Sequence, residues 1–488
     1  MRRSRGGMPD LPHGDLRELE LSSEAMRAMV ELAMERIVTH IESLDAQPMH
    51  ATAGGKKLAR ALREAMPERG TSFPKLLRGL FGRVIPASLN TASPGYLAYI
   101  PGGGLFHSAV ADLVADAVNR YVGVWLAAPG LVQIESNVID WFASIIGLPS
   151  SAGGVLTTGG SLANLIATVT ARRERLPPDF LKGTLYTSEQ AHHSVARAAV
   201  LAGFPLENVR QIACDEHFRV RPGALEEAVI ADRASGMAPF LVVGHAGTTN
   251  TGAVDDLAEL SRVARQHNLW FHVDAAYGGF FALTARGKVA LRGIEEADSV
   301  TLDPHKSLFL PYGTGCLLVR DRDSLARAHR MHASYLPPMQ TDPDLVDFCD
   351  LSPELSRDAR GLRVWLPLKM HGAGAFRRSL DEKLDLACFA AEALRSMDHV
   401  EIVAEPALSL FAFRVKPSGY AEGERLNTLN RKWLSAVNEK QRVLLTGTML
   451  DGRFVLRMCV LSFRTHRDRI EMGLCDLRES LRDVLARG

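Results

Sequence analysis

Ser299-Val-Thr-Leu-Asp303-Pro-His-Lys306-Ser-Leu-Phe-Leu310 decides how the rest of the chain is read. Val300 and Leu302 have the apolar character of a short buried strand. Asp303-Pro304 ends it, because proline lacks an amide donor and restricts the residue before it. His305 and Lys306 follow on the turn, and Leu308 to Leu310 is apolar again. A lysine between two apolar runs is rarely buried without a partner or a covalent task. Apolar surroundings lower an amine pKa and make the amine a nucleophile towards an aldehyde. The plain alternative is a surface lysine at a strand end.

Upstream, Trp270-Phe-His-Val-Asp274-Ala-Ala276-Tyr-Gly-Gly279 repeats the pattern, with an apolar run that ends in a carboxylate and then small residues. Asp274 and Lys306 are 306 − 274 = 32 residues apart. A strand-end carboxylate can sit under a protonated pyridine nitrogen, and a lysine one unit later can form an aldimine. That is the two-point grip a pyridoxal phosphate site needs. HVDAAYGG followed by DPHKSL resembles the group II pyridoxal-phosphate-dependent amino acid decarboxylases. That family includes aromatic amino acid, histidine and glutamate decarboxylases, and the aromatic-L-amino-acid members are the ones this chain resembles. The resemblance runs from about residue 90 to about residue 465.

Composition agrees with a large enzyme. The 488 residues allow two or three structural units, and 46% hydrophobic content supplies a core. A net charge of +1 argues against a nucleic-acid-binding surface. No apolar run reaches the roughly 18 residues of a membrane span. Met1-Arg-Arg-Ser-Arg-Gly-Gly7 is basic without an apolar segment, and reads as a disordered tail. Cys214, Cys316, Cys349, Cys388, Cys459 and Cys475 are dispersed with no CxxC pair, so neither a zinc site nor a disulfide framework is indicated. The expected setting is a reducing cytoplasm.

Helical periodicity runs from Leu16 to about residue 45, with a start at Ser22-Ser23-Glu24, and again from Lys56 to Leu80. Ser93 to Gly104 is a loop rich in proline and glycine. Helices are expected at Ala109 to Asn119 and Leu131 to Ile146. From Gly154 short apolar runs alternate with helical segments, through Val155, Thr184, Pro239, Leu269, Ser299 and Gly315. That alternation predicts a mostly parallel sheet with helices on both faces. In such sheets ligands bind beyond the carboxyl ends of the strands. Arg357 to Leu394 reads as helix in two pieces split near Gly372-Ala-Gly374, and the remainder as a smaller α/β domain. The expected organisation is residues 1–105 as an N-terminal helical segment, 106–375 as the cofactor-binding domain and 376–488 as the small domain. The resemblance implies fold type I, the aspartate-aminotransferase-like fold. It also implies a homodimer in which the N-terminal helices clasp the partner and the active site is shared between subunits.

Thr158-Gly-Gly-Ser161 opens a helix after a strand, which suits an anion; a turn with a serine cap is the other reading. By resemblance, Gly160 and Ser161 bind the cofactor phosphate, His192 stacks on the pyridine ring, Asp274 pairs with its nitrogen, and Ala276 packs beneath it. Thr249 contacts the cofactor, and Asp303 and His305 flank the lysine. His193 reads as structural, and no metal pair is inferred. The implied reaction is loss of the α-carboxylate from an L-amino acid, through a Lys306 aldimine and a quinonoid, giving the amine.

Two departures bear on the product and the substrate. A gap-free register through Leu355-Ser-Arg357 puts Phe348 where many members of the family carry a proton-donating loop tyrosine. In related plant enzymes that exchange accompanies oxidative deamination to an aldehyde, ammonia and hydrogen peroxide. Tyr335 and His192 are the other candidate donors. The substrate pocket is expected at Thr91, Tyr99, Ile100, Gly123 and Phe348, with Thr91, Ile100 and Gly123 at positions that are aromatic in the aromatic amino acid decarboxylases. A non-catalytic binding protein is the rival from another class; the intact set of Lys306, Asp274, His192 and Ser161 argues against it.

Overall fold

The computed structural model describes residues 19–331, 342 and 344–487. The beginning of the first expected helix at Leu16, the basic tail and Tyr335 lie outside the described residues. The chain divides into a unit that ends at Asn90 and a second that begins at Thr91.

In the first unit, Ser22 caps helix Ser23–Glu42. Its Oγ accepts from the Ala25 N–H at 3.2 Å, and Glu24 sits in the first turn, where a negative charge meets the helix dipole. No residue of this helix is buried. The continuous helical stretch expected from Lys56 to Leu80 is instead two short helices, Gly55–Ala61 and Phe73–Gly79, the second passing into a π-turn at Leu80–Val84. Pro67 and Gly70 break the first run. Pro74 sits in the first turn of the second helix, where its missing N–H costs nothing.

The second unit is built on a seven-stranded sheet. Its strands are β1 (Gly153–Thr157), β2 (Gly183–Ser188), β3 (Val209–Ile212), β4 (Ala238–His245), β5 (Trp270–Asp274), β6 (Ser299–Leu302) and β7 (Gly315–Val319). Their order is β1-β7-β6-β5-β4-β2-β3, and only β7 runs against its neighbours. β2, β5, β6 and β7 are buried along their whole length, as strands of a sheet covered on both faces are. The sequence pattern assigns nothing between Ala202 and Pro239, yet β3 and helix Pro222–Ala234 lie there. As an edge strand, β3 buries only Ile212, so it carries no apolar signature.

A second, antiparallel sheet comprises β8 (Val400–Ala404), β9 (Leu410–Val415), β10 (Thr446–Leu450) and β11 (Arg453–Cys459), in the order β10-β11-β9-β8. Leu97 packs into the core of this sheet, and its N–H donates to the Leu444 carbonyl at 3.1 Å. The expected boundary at residue 105 therefore falls inside the second unit. Helix Arg360–Arg395 joins the two cores and is interrupted at Gly372, whose φ of 68° few other residues adopt. Val364 and Phe376 pack in the core of the large sheet, and Leu386 to Leu394 in that of the small one.

Below β1 lies a fully buried ion pair, Arg357 Nη2 to Glu135 Oε1 at 2.6 Å. Arg357 and Arg360 both donate to the Leu156 carbonyl, at 3.0 and 3.2 Å. They hold the end of β1 immediately before Thr157-Thr-Gly-Gly-Ser161. Burial pushes the Glu135 carboxyl up, and Arg357 opposes that shift. Arg357→Ala would leave a buried carboxylate without its cation. Denaturant unfolding of this variant is expected to show a loss of about 3–5 kcal/mol; a loss under about 1 kcal/mol would mean the pair is not structural.

Candidate active site

A cavity of about 420 Å³ opens beyond the carboxyl ends of the parallel strands. Four strands send one turn each to it: β1 the Thr158–Ser161 turn, β4 Gly247 to Thr249, β5 Asp274 and Ala276, and β6 Asp303 to Lys306. His192 enters from the segment between β2 and helix Ser194–Leu201. Gly160, Ser161, His192, Thr249, Asp274, Ala276, Asp303, His305 and Lys306 all line this one cavity.

Lys306 sits on the single helical turn Pro304–Ser307 after β6, where proline takes the first position. Its Nζ lies 2.9 Å from Asp303 Oδ2, and its side chain is a quarter exposed. Here the structure corrects the sequence expectation of a depressed amine pKa. Burial does lower it, but the carboxylates of Asp303 and Asp274 outweigh burial, and the net shift is upward. An apolar run on both sides of the lysine hides the fact that its ammonium faces acids.

Asp274 ends β5 and is 8% exposed. Oδ2 accepts from Asn164 Nδ2 at 3.0 Å, and Oδ1 from the Ala276 N–H at 3.2 Å. Burial raises its pKa, but His245, Lys306 and the Asn164 bond bring it below the ordinary carboxylate value, so it stays ionised. His192 Nδ1 receives the Ser194 backbone N–H at 3.3 Å and lies 2.7 Å from Ser194 Oγ. A backbone N–H can only donate, so Nδ1 is the acceptor and the neutral ring carries its proton on Nε2. Burial lowers the imidazole pKa, and Asp274 only partly opposes that. His305 donates from Nδ1 to the Thr314 carbonyl at 2.6 Å, which fixes the ring at the cavity wall.

Of the expected substrate-pocket residues only Ile100 lines this cavity. Thr91 bonds the Tyr312 phenol. Tyr99 is 58% exposed, with its ring 6.5 Å from that of Tyr96. Gly123 has no room for a side chain: a Cβ there would lie 2.3 Å from Tyr121 Oη. Its carbonyl accepts from the Cys349 N–H at 2.9 Å, which ties it to the turn Phe348–Asp350. Phe348 itself is 0% exposed, with the Arg357 guanidinium 4.6 Å from its ring centroid. The structure therefore corrects its placement in the pocket. Its ring packs in the core beneath an arginine, away from the cavity.

Sequence reading missed Asn164, Ser194 and His245, all of which line the cavity. A signal for Asn164 was present: it lies four residues after Gly160, hence on the same face of helix Gly160–Arg175. Arg457 holds the Thr249 turn from behind, donating to the Thr249 carbonyl and, at 2.8 Å, to the Asn250 carbonyl.

Comparison with known proteins gives a consistent result. Residues 56–416 match the family described as pyridoxal-dependent decarboxylase conserved domain. The aromatic-L-amino-acid decarboxylase of Bacillus atrophaeus is 36% identical over 448 residues, 92% of this chain and 93% of that protein. The crystal structure of Oryza sativa TDC with PLP and tryptamine is similar with a TM-score of 0.90 at 26% identity, covering 95% of this chain and 99% of that one. That of Rhodiola rosea 4-hydroxyphenylacetaldehyde synthase gives 0.88 at 25% identity, with 95% and 99% covered.

The cavity fits pyridoxal phosphate on its own features. Asp303 Oδ1 is buried without a hydrogen-bond partner. The Gly160 position is tight, since a Cβ there would lie 3.1 Å from Asp303 Oδ2 and 3.3 Å from Ala276 Cβ. An amine, a carboxylate and a glycine turn at a 16-residue helix start face one space. In the cofactor-free protein, Asp303→Asn should lower the pH midpoint at which Lys306 becomes reactive to reductive methylation, because the largest upward influence on its pKa is removed. An unchanged midpoint would show that Asp303 does not hold the ammonium charged.

Proposed function

The chain belongs to the pyridoxal-dependent decarboxylase family, and on that premise we propose that it removes the α-carboxylate of an aromatic L-amino acid, releasing the amine and carbon dioxide. The observation that carries the reading is the meeting of Lys306, Asp274 and His192 in one cavity. The substrate class is supported by the Bacillus atrophaeus relative, which matches over nearly the whole chain.

Pyridoxal phosphate, when bound, supplies an aldehyde carbon and an electron-accepting ring. Lys306 offers its Nζ to that aldehyde, and Asp303 keeps the amine oriented while it is protonated. The ionised Asp274 holds a proton on the ring nitrogen, because a buried carboxylate stabilises a cation facing it. Gly160 and Ser161 would hold the phosphate at the helix start, and Ala276 and His192 would hold the ring, with His192 presenting Nε2–H as a donor. The Thr249 turn, braced by Arg457, orients the substrate.

Amine rather than aldehyde is the product we favour. The aldehyde reading rested on Phe348 replacing a proton donor, and Phe348 is a core residue. We further read the protein as a homodimer in which the first unit, up to Asn90, lies against the partner subunit, and whose active sites are shared. No helix among the described residues is long and apolar enough to cross a membrane, and a cytoplasmic setting is part of this proposal.

The test is a product balance on cofactor-loaded protein given L-tryptophan, L-tyrosine and L-phenylalanine, with carbon dioxide, amine, aldehyde and peroxide followed together. Amine equal to carbon dioxide is expected. Aldehyde and peroxide equal to carbon dioxide would overturn the product, and no carbon dioxide from any of the three would overturn the substrate class. Lys306→Ala should lose the visible cofactor band and turnover by on the order of a thousandfold or more. Phe348→Tyr should leave the product ratio unchanged and cost about 1–3 kcal/mol of stability for a buried hydroxyl; a changed ratio would return this residue to the chemistry.

A further inference from the structure

Behind Asp274 and His192 lies a hydrogen-bond chain whose direction is set by its end. Trp270 Nε1–H can only donate, and it does so to Ser299 Oγ at 2.8 Å. Ser299 Oγ lies 2.8 Å from His272 Nδ1. His272 Nε2 lies 3.1 Å from Asn164 Oδ1, an acceptor, so the proton of the neutral ring belongs on Nε2 and Ser299 donates to Nδ1. Thr301 Oγ1 donates to the same Asn164 oxygen at 2.7 Å. With its oxygen engaged twice, Asn164 turns its NH₂ outward. It donates to Asp274 Oδ2 and to Ser194 Oγ, both at 3.0 Å. Ser194 then has its hydroxyl proton left for His192 Nδ1.

The inner members of this chain are buried: Ser299 and Thr301 are fully enclosed, and Asn164 is 2% and His272 3% exposed. Reversing a bond among them would set two acceptors or two donors against each other and leave buried groups unpaired. Burial holds His272 neutral down to about pH 4, with Asp274 opposing, so the chain does not reverse by protonation near neutrality.

We propose that Asn164 is a positioning residue that sets two reacting groups from one amide, keeping the Asp274 carboxylate ionised and aimed and fixing the His192 proton on Nε2, with His272 and Thr301 locking the amide's orientation. The inference rests on the reading of Asp274 as the carboxylate that faces the cofactor. It goes beyond that reading by coupling Asp274 and His192 through one side chain.

The experiment measures the cofactor dissociation constant by equilibrium dialysis from about pH 7 down to about pH 3, through the ordinary carboxylate range and below it, with thermal melting alongside, for the parent, Asn164→Ala and Asn164→Asp. His245, Lys306, His272 and Asn164 are the groups that face Asp274 and hold its pKa down against burial. A carboxylate needed for binding is present above its pKa and lost as pH falls through it. Removing one donor raises that pKa, so Asn164→Ala should release cofactor at a pH about one unit higher than the parent. Asn164→Asp keeps the shape but sets a second carboxylate against Asp274, and should weaken binding about tenfold further than alanine does. A packing role predicts the opposite order, since aspartate fills the space and alanine leaves a hole. The proposal is overturned if aspartate is milder than alanine, or if the pH midpoint of Asn164→Ala stays at that of the parent. Should Asn164→Asp not fold, the midpoint of Asn164→Ala decides alone. A parent protein that itself binds no cofactor would instead overturn the functional reading on which the inference stands.

Discussion

The structure depends on keeping one carboxylate charged in a place that disfavours charge. Asp274 is buried at the end of a central strand, where desolvation pushes its carboxyl towards the neutral form. Three neighbours reverse that: His245 from β4, Lys306 from the turn after β6, and the Asn164 amide from the helix after β1. Each comes from a different strand–helix unit. The parallel sheet is what lets them arrive together, because its strands end along one edge and deliver their turns to the same space. The fold thus concentrates opposing charges that local sequence keeps far apart.

The cradle for the anion is held from beneath in the same distributed way. Arg357 and Arg360 grip the Leu156 carbonyl, one residue short of the glycine turn. Gly315, at the start of the reversed strand β7, packs backbone against backbone on Gly159, since a Cβ there would lie 2.5 Å from the Gly159 Cα. Neither contact is visible in the motif that carries the chemistry, yet both set where that motif sits.

Strands rich in large apolar residues, such as β5 and β6, and the polar residues that end them were legible, because burial on both faces leaves a local signature. Asp274 and Lys306 stand out for that reason. Two kinds of feature were not legible. Edge strand β3 and the interrupted helix near Pro67 carry weak or misleading patterns. Properties created by folding also escaped: Lys306 looked apolar in sequence, and only the fold shows that Asp303, three residues before it, and Asp274, on another strand, both face its ammonium. Phe348 looked functional because an alignment register carries no information on burial. His272, two residues before Asp274 on the same strand face, could have been found from strand periodicity alone.

Leu97 belongs to a core made otherwise of residues from Leu386 onward. Its amide pairs with Leu444, and its carbonyl accepts from the Cys459 N–H at 3.0 Å, so it lies between two C-terminal segments as a third partner. During synthesis this leucine emerges early and must wait, unpaired, until the last strands are made. The small sheet therefore cannot mature as an independent tail. Its completion threads the beginning of the second unit to its end, and chain closure of this length is a slow step in folding.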